Sequence, residues 1–202
     1  MNLVYIHGAN ASPDSFNFIR MKLGGNDLVL KYDSANGFHH NLKSMRTQLD
    51  GIEDIFFIAH SLGGIYAAHL AQHLPGQVQG AVTLATPYGG SKAAEWIKWL
   101  LPFNQLLQDI QPHSAAILQA HSIRLQQSWT NIVTTKGHSS LMMTANDGVV
   151  TAASMRYRSD MTFVDVSANH YEVLLSHHAV AVIRAALERA VQNIHSGSPV
   201  CI

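Results

Sequence analysis

Ser61 stands in Ala59-His60-Ser61-Leu62-Gly63-Gly64, between the apolar run Ile55-Phe56-Phe57-Ile58 and a stretch with helical periodicity. A serine at a sharp strand-to-helix turn can act as a nucleophile. The turn holds the Ser in a strained backbone conformation, so the positions two before and two after it must be small. Ala59 and Gly63 meet that need. Small-x-Ser-x-small is a weak signal on composition alone, because these residue types are common. The strand-to-helix placement gives it weight; the competing reading is a Ser that merely caps the following helix.

A nucleophilic Ser needs a base for its proton, a group to orient that base, and donors for the oxyanion that forms on an attacked carbonyl. In an open parallel sheet these groups belong in the loops after the carboxyl ends of strands. Asp147, in Asn146-Asp147-Gly148-Val149-Val150, follows the fifth expected strand, and His170 follows the sixth, four residues past Val166. For the oxyanion, the backbone N–H of Leu62 is the first expected donor and that of Ala9, in Ile6-His7-Gly8-Ala9-Asn10, the second. Gly8 permits the tight turn, and His7 and Asn10 are expected to hold the loop by side-chain hydrogen bonds.

The chain has 13 His, so His170 has to be weighed against the others. His177 and His178 begin the last expected helix, and His69 and His73, at i and i+4 on the helix behind Ser61, read as packing or surface residues. His60 adjoins Ser61, but side chains diverge at a turn; it is expected to line a pocket wall or bind backbone. Asp165 lies inside a strand and Asp160 in the turn before it, so neither suits a His at the carboxyl edge as well as Asp147. A bare Asp-Gly turn would explain Asp147 equally well on the dipeptide alone. A metal site from His39-His40 or from His69 with His73 is the weaker alternative, because no His-Glu-x-x-His or paired-Cys spacing occurs. No cofactor and no metal are expected.

Short apolar runs alternate with helix-period segments, the pattern of a parallel sheet covered on both faces. Strands are expected near 3–6, 27–32, 54–59, 78–84, 130–135 and 161–166, and helices at 14–23, 38–49, 62–73, 91–101, 112–127 and 176–194. Pro13 and Pro112 read as helix starters and Pro75 as a stop. The fold class expected is α/β, a three-layer α/β/α sandwich with a mostly parallel sheet of about six strands. A single domain is expected over 1–195, with a flexible tail at 196–202. The stretch 91–127 exceeds a simple crossover and carries Trp96, Trp99, Leu100, Phe103, Leu106 and Leu107, interrupted by Pro102. It reads equally as a helical cap over substrate or as a core helix with its connector.

The length of 202 residues and 47% hydrophobic content suit a well-developed core, and Lys+Arg and Asp+Glu balance at 13 each. No net field gathers nucleic acid, which is not an expected partner. Cys201, the only cysteine, cannot form an internal disulfide. Leu3-Val4-Tyr5-Ile6 is too short for a signal-peptide core, and no run approaches the roughly 20 apolar residues of a membrane span. A cytoplasmic location is the expectation, with peripheral membrane contact left open. Oligomeric state is not readable.

His7-Gly8 after the first strand, Ala59-His60-Ser61-Leu62-Gly63-Gly64, Leu84-Ala85-Thr86-Pro87-Tyr88-Gly89-Gly90-Ser91, Asp147-Gly148-Val149-Val150 and Asn169-His170-Tyr171-Glu172 together resemble an α/β-hydrolase of the lipase/esterase branch. The size is close to that of minimal bacterial lipases, and the segments are also similar to serine-esterase domains related to GPI-inositol deacylases. Ser61, Asp147, His170 follow the chain order of that family's triad, unlike the trypsin-like or subtilisin-like orders. Two positions depart from the pattern: Ala59 replaces the usual first Gly, and Tyr88 stands where many relatives have His. The resemblance implies a minimal α/β-hydrolase fold and cofactor-free ester hydrolysis through an acyl-enzyme. It leaves the substrate open, a small-molecule or lipid ester with an apolar group being expected. The same machinery would serve an acyltransferase or thioesterase, and a catalytically silent binding module is the alternative of another class. Because the base must be neutral to act, activity is expected to fall on the acid side.

Overall fold

The computed structural model describes residues 1–90, 111–137 and 144–196. The helix expected at 91–101, the apolar stretch 96–107 and residues 197–202 of the tail lie outside the described residues. Within them the strands are β1 (Asn2–Ile6), β2 (Asp27–Leu30), β3 (Ile55–His60), β4 (Val78–Leu84), β5 (Trp129–Thr134) and β6 (Thr162–Val166). The helices are α1 (Asn17–Leu23), α2 (Phe38–Gln48), α3 (Leu62–His73), α4 (Ala115–Ser122), α5 (Ala152–Met155) and α6 (His177–Ser196). The sheet runs β2-β1-β3-β4-β5-β6, and every pairing is parallel.

Alternate residues of each strand feed opposite faces of the sheet, which is why the central strand β3 is buried at every residue and mostly apolar. Val4, Ile6, Ile55, Phe57 and Ala59 pack against α2, α3 and α4 through Phe38, Leu42, Met45, Ile65, Tyr66 and Ile117. Leu3, Tyr5, Phe56, Ile58, Val82 and Leu84 pack on the other face against α1 and α6 through Ile19, Val180, Ile183 and Ala186. A three-layer α/β/α arrangement follows, as the sequence implies.

Several boundaries shift for identifiable reasons. The helix expected at 14–23 opens as a 3-10 turn over Pro13–Phe16 before α1 begins. β2 stops at Leu30 rather than 32, because the Gln48 side chain takes over the Lys31 backbone, accepting from its N–H at 3.0 Å and donating to its carbonyl at 3.0 Å. The helix expected at 112–127 shrinks to α4. Its start is set by Ser114, whose hydroxyl accepts from the Ile117 N–H at 3.2 Å, a side-chain N-cap. Its end is clamped by the buried Arg158 guanidinium, which donates to the carbonyls of Ala120 and Ile123. The single turn α5, capped by the Thr151 hydroxyl, is too short to leave a periodic signal.

The chain steps from β1 outward to β2 and then returns across β1 to β3. Connections leaving neighbouring strands in opposite directions open a crevice at the carboxyl edge between β1 and β3. The loop after β1 and the turn after β3 meet there.

Candidate active site

Ser61 joins β3 directly to α3, with φ 53° and ψ −123°. A non-glycine residue here carries backbone strain on the order of 1–3 kcal/mol, so surrounding bonds must hold it. The Ser61 N–H donates to the Leu84 carbonyl at 2.8 Å, and the Ser61 carbonyl accepts from the Gly64 N–H at 3.0 Å and the Thr86 hydroxyl at 3.1 Å. The two glycines after the turn are sterically required. A Cβ on Gly63 would stand 2.2 Å from the Ile6 carbonyl oxygen, and one on Gly64 would stand 2.1 Å from the Thr86 hydroxyl oxygen. The first turn of α3 therefore rests on the backbone of β1, which keeps the Ser61 hydroxyl half-buried at the sheet edge.

His170 Nε2 lies 3.0 Å from Ser61 Oγ, and His170 Nδ1 lies 2.8 Å from Asp147 Oδ2. Residues 109 and 23 positions apart in sequence thus form one continuous hydrogen-bonded chain. Asp147 is buried and accepts on both oxygens: Oδ1 from the N–H groups of Val149 at 3.0 Å and Val150 at 2.7 Å, Oδ2 from the Thr134 hydroxyl at 2.5 Å and from His170. Burial by itself raises the carboxyl pKa, but the bonds from His170, Thr134 and Val150 outweigh it and hold the group below the ordinary carboxylate value. An ionised carboxylate can only accept, so His170 Nδ1 carries the proton and Nε2 presents its lone pair to Ser61.

The loop after β1 closes over the Ser61 turn. A Cβ on Gly8 would lie 2.9 Å from His60 Nδ1 and 3.2 Å from Ser61 Cβ, so any larger residue would have to push this approach apart. His7 stacks on Tyr32 with ring centroids 4.2 Å apart, its Nδ1 lies 2.9 Å from the Gly8 carbonyl oxygen, and the Tyr32 hydroxyl donates to the His7 carbonyl at 2.9 Å. Asn10, at φ 53°, is tied through its backbone N–H to the Ser34 hydroxyl at 3.0 Å, in place of the side-chain bond expected of it. Ala9, between Gly8 and Asn10 in this loop, is half-buried. Leu62 opens α3, where an N–H has no intrahelical acceptor.

Other singled-out residues fall elsewhere. His69 is buried and bonds the Ala116 carbonyl through Nε2 at 2.9 Å, so it packs α3 against α4. Asp165 is exposed and ion-paired with Arg156, and Asp160 is paired with Arg158. Tyr88 is a core residue, its hydroxyl accepting from Trp129 Nε1 at 3.0 Å and lying 3.2 Å from Thr83 Oγ1. Among the described residues no three His, Cys, Asp or Glu side chains group so as to hold a metal ion, and no described helix is long and apolar enough to cross a membrane. Sequence reasoning passed over Thr134 and Tyr32, which hold Asp147 and the Gly8 loop. Thr134 ends β5 and Tyr32 lies two residues past β2, neither is unusual by type, and only the adjacency of their strands reveals their partners.

Solved structures share this architecture along most of the chain. A lipase from Bacillus licheniformis in its mature form superposes with a TM-score of 0.77 at 18% identity, covering 92% of this chain and 91% of that one. The α/β-hydrolase fold is established. A phospholipase from Legionella pneumophila matches with a TM-score of 0.73 at 14% identity, covering 97% of this chain and 63% of that one. A metagenomic carboxyl esterase matches at 0.68 and 16%, covering 96% of this chain and 75% of that one. No protein-family model matches the sequence, and no curated protein matches it significantly. In this α/β-hydrolase fold the Ser61 turn, the Asp147 loop and the His170 loop follow β3, β5 and β6 in that order.

Proposed function

We propose that this chain is a serine hydrolase that cleaves carboxylic esters. Ser61 Oγ attacks the ester carbonyl carbon as His170 Nε2 takes the hydroxyl proton, giving a tetrahedral oxyanion and an imidazolium paired with Asp147. The N–H groups of Leu62 and Ala9 stabilise the oxyanion, each such donor being worth on the order of 3 kcal/mol at comparable sites. As the C–O bond breaks, His170 returns the proton to the leaving alcohol and an acyl-Ser61 ester remains. Water then adds to that ester with His170 as base again, releasing the acid and restoring the Ser61 hydroxyl.

The observation that carries the reading is the unbroken Ser61–His170–Asp147 chain at 3.0 and 2.8 Å, closed on a strained turn. A helix-capping serine would need neither the base nor the strain. Tyr171, whose ring lies 5.2 Å from that of His170, is 64% exposed, which suits an ester with an apolar group.

The test is hydrolysis of p-nitrophenyl esters from acetate to palmitate by wild type and Ser61→Ala, with a chelator control. We expect turnover that falls roughly four to six orders of magnitude in the variant and ignores the chelator; the best chain length separates esterase from lipase. A Ser61→Ala protein that keeps its rate would sink the assignment. A wild type inactive on every ester and unlabelled by a fluorophosphonate would favour a binding module.

A further inference from the structure

We propose that His60 is a positioning residue: its ring Nε2–H, donated to the His170 carbonyl, locks the backbone of the base to the backbone of the nucleophile. The inference rests on the ester-hydrolase reading above. His60 Nε2 lies 2.8 Å from the His170 carbonyl oxygen, an atom that can only accept, so the proton sits on Nε2. The other nitrogen, Nδ1, is then a bare acceptor. It is buried with no hydrogen-bond partner, and it faces the Gly8 backbone, where a Cβ would stand 2.9 Å away.

A residue chosen for packing alone would not be a histidine here. Burying an unpaired acceptor costs free energy, and a phenyl or branched aliphatic side chain would fill such a space without that cost. The Nε2 bond is what only a donor at this reach supplies. His60 is the last residue of β3 and directly precedes Ser61, while the N–H of His170 donates to the Asp147 carbonyl at 3.2 Å. The backbone of the base is thus tethered on one side to the acid residue and on the other to the nucleophile's strand. Burial pushes the His60 ring down to about 3, so it stays neutral and holds this single tautomer at working pH. Its protonated nitrogen is committed to His170, which leaves the proton transfer at Ser61 to His170 alone.

Three variants test the role. In His60→Gln the side-chain amide reaches the Nε2 position; in His60→Asn it reaches only to Nδ1; His60→Phe fills the space without a donor. We expect Gln to keep kcat within about fivefold, and Asn and Phe to lose about 10- to 100-fold in kcat with KM within about twofold, because a small misplacement of the base acts on chemistry more than on binding. Equal kcat in Gln and Asn, or wild-type kcat in Phe, overturns the proposal. Thermal unfolding checks each fold, and if Phe does not fold, the Gln and Asn pair decides. Ring nitrogen-15 spectra give an answer independent of turnover. Wild type should show His60 protonated at Nε2 only, and the low-field His170 Nδ1 proton should persist in Gln and broaden in Asn. A His60 proton on Nδ1 overturns the inference even in an active enzyme. A wild type without esterase activity overturns the ester-hydrolase reading, while these spectra still decide whether the tether exists.

Discussion

The two edges of the sheet are built from different materials. At the carboxyl edge His7, His60, Asp147 and His170 are all buried, and the bonds of His60 and Asp147 to His170 join segments at the ends of different strands. At the amino edge the polar groups are mostly solvated. Asn2 donates to the Glu53 carbonyl at 2.6 Å and Gln77 to the Glu53 carboxylate at 3.1 Å, and a surface hollow of about 390 Å³ is lined by Lys43, Arg46, Asp50 and Gln77. Backbone strain divides less cleanly. Asn10, Ser61 and Ala85 take positive φ at the carboxyl edge, but so does the exposed Asp54 at the amino edge. Positive φ is therefore no mark of a site by itself. What separates the edges is desolvated polarity: a bond made by a buried charge or imidazole fixes geometry, whereas one made by a solvated group fixes little.

The comparison breaks most readily at Asp147. Asp147→Asn leaves the shape but removes the acceptor that sets the His170 tautomer, and we expect kcat to fall by roughly 10³ to 10⁴ with the fold retained. A loss under tenfold in ester turnover would mean that the buried carboxylate serves packing.

Gly63→Ala comes next. In an open helix this exchange stabilises by about 1 kcal/mol. Here the added methyl would stand 2.2 Å from the Ile6 carbonyl oxygen, so the sign reverses and we expect destabilisation of about 3 kcal/mol or more, read by urea unfolding.

Acid should act on the buried imidazoles. Burial lowers the pKa of His7, His60 and His69, although each bonds a backbone carbonyl. The unfolded chain takes up these protons near pH 6.5 and the folded chain does not. Stability present above about pH 6.5 is therefore lost as pH falls, at about 1.4 kcal/mol per pH unit for each ring that stays neutral. Unfolding free energies between pH 7.5 and 5 measure the slope, and His60→Gln should reduce it by one proton.

Thr134→Val removes one of the four donors on Asp147. We expect kcat to drop about tenfold, the effect of one hydrogen bond to a charged group, with KM unchanged in steady-state assays. Smallest is the amino edge, where Lys43→Ala should move stability by no more than about 0.5 kcal/mol and leave ester turnover alone. A loss of activity there would erase the contrast between the edges.

The periodic parts of this molecule were legible residue by residue. α3 runs from Leu62 to His73, as read from its small-residue turn and following period, and the six strands lie where apolar runs were found. Elements whose limits depend on distant partners were not legible, such as the early end of β2 at the Gln48 side chain and of α4 at Arg158. Ser61, Asp147 and His170 could be named from sequence as candidates because each sits in a loop whose type and order limit the choice. Their bonding could not, since it depends on the lateral order of strands, and a parallel strand records its own faces but not its neighbours. Residue types and their periods, local properties of the chain, thus determined the fold class and the candidate chemistry. Tertiary structure alone decided that Thr134 holds Asp147, that Tyr32 holds the Gly8 loop, and that His60 holds the carbonyl of His170. Each of these bonds joins segments that only the assembled sheet brings within 3 Å.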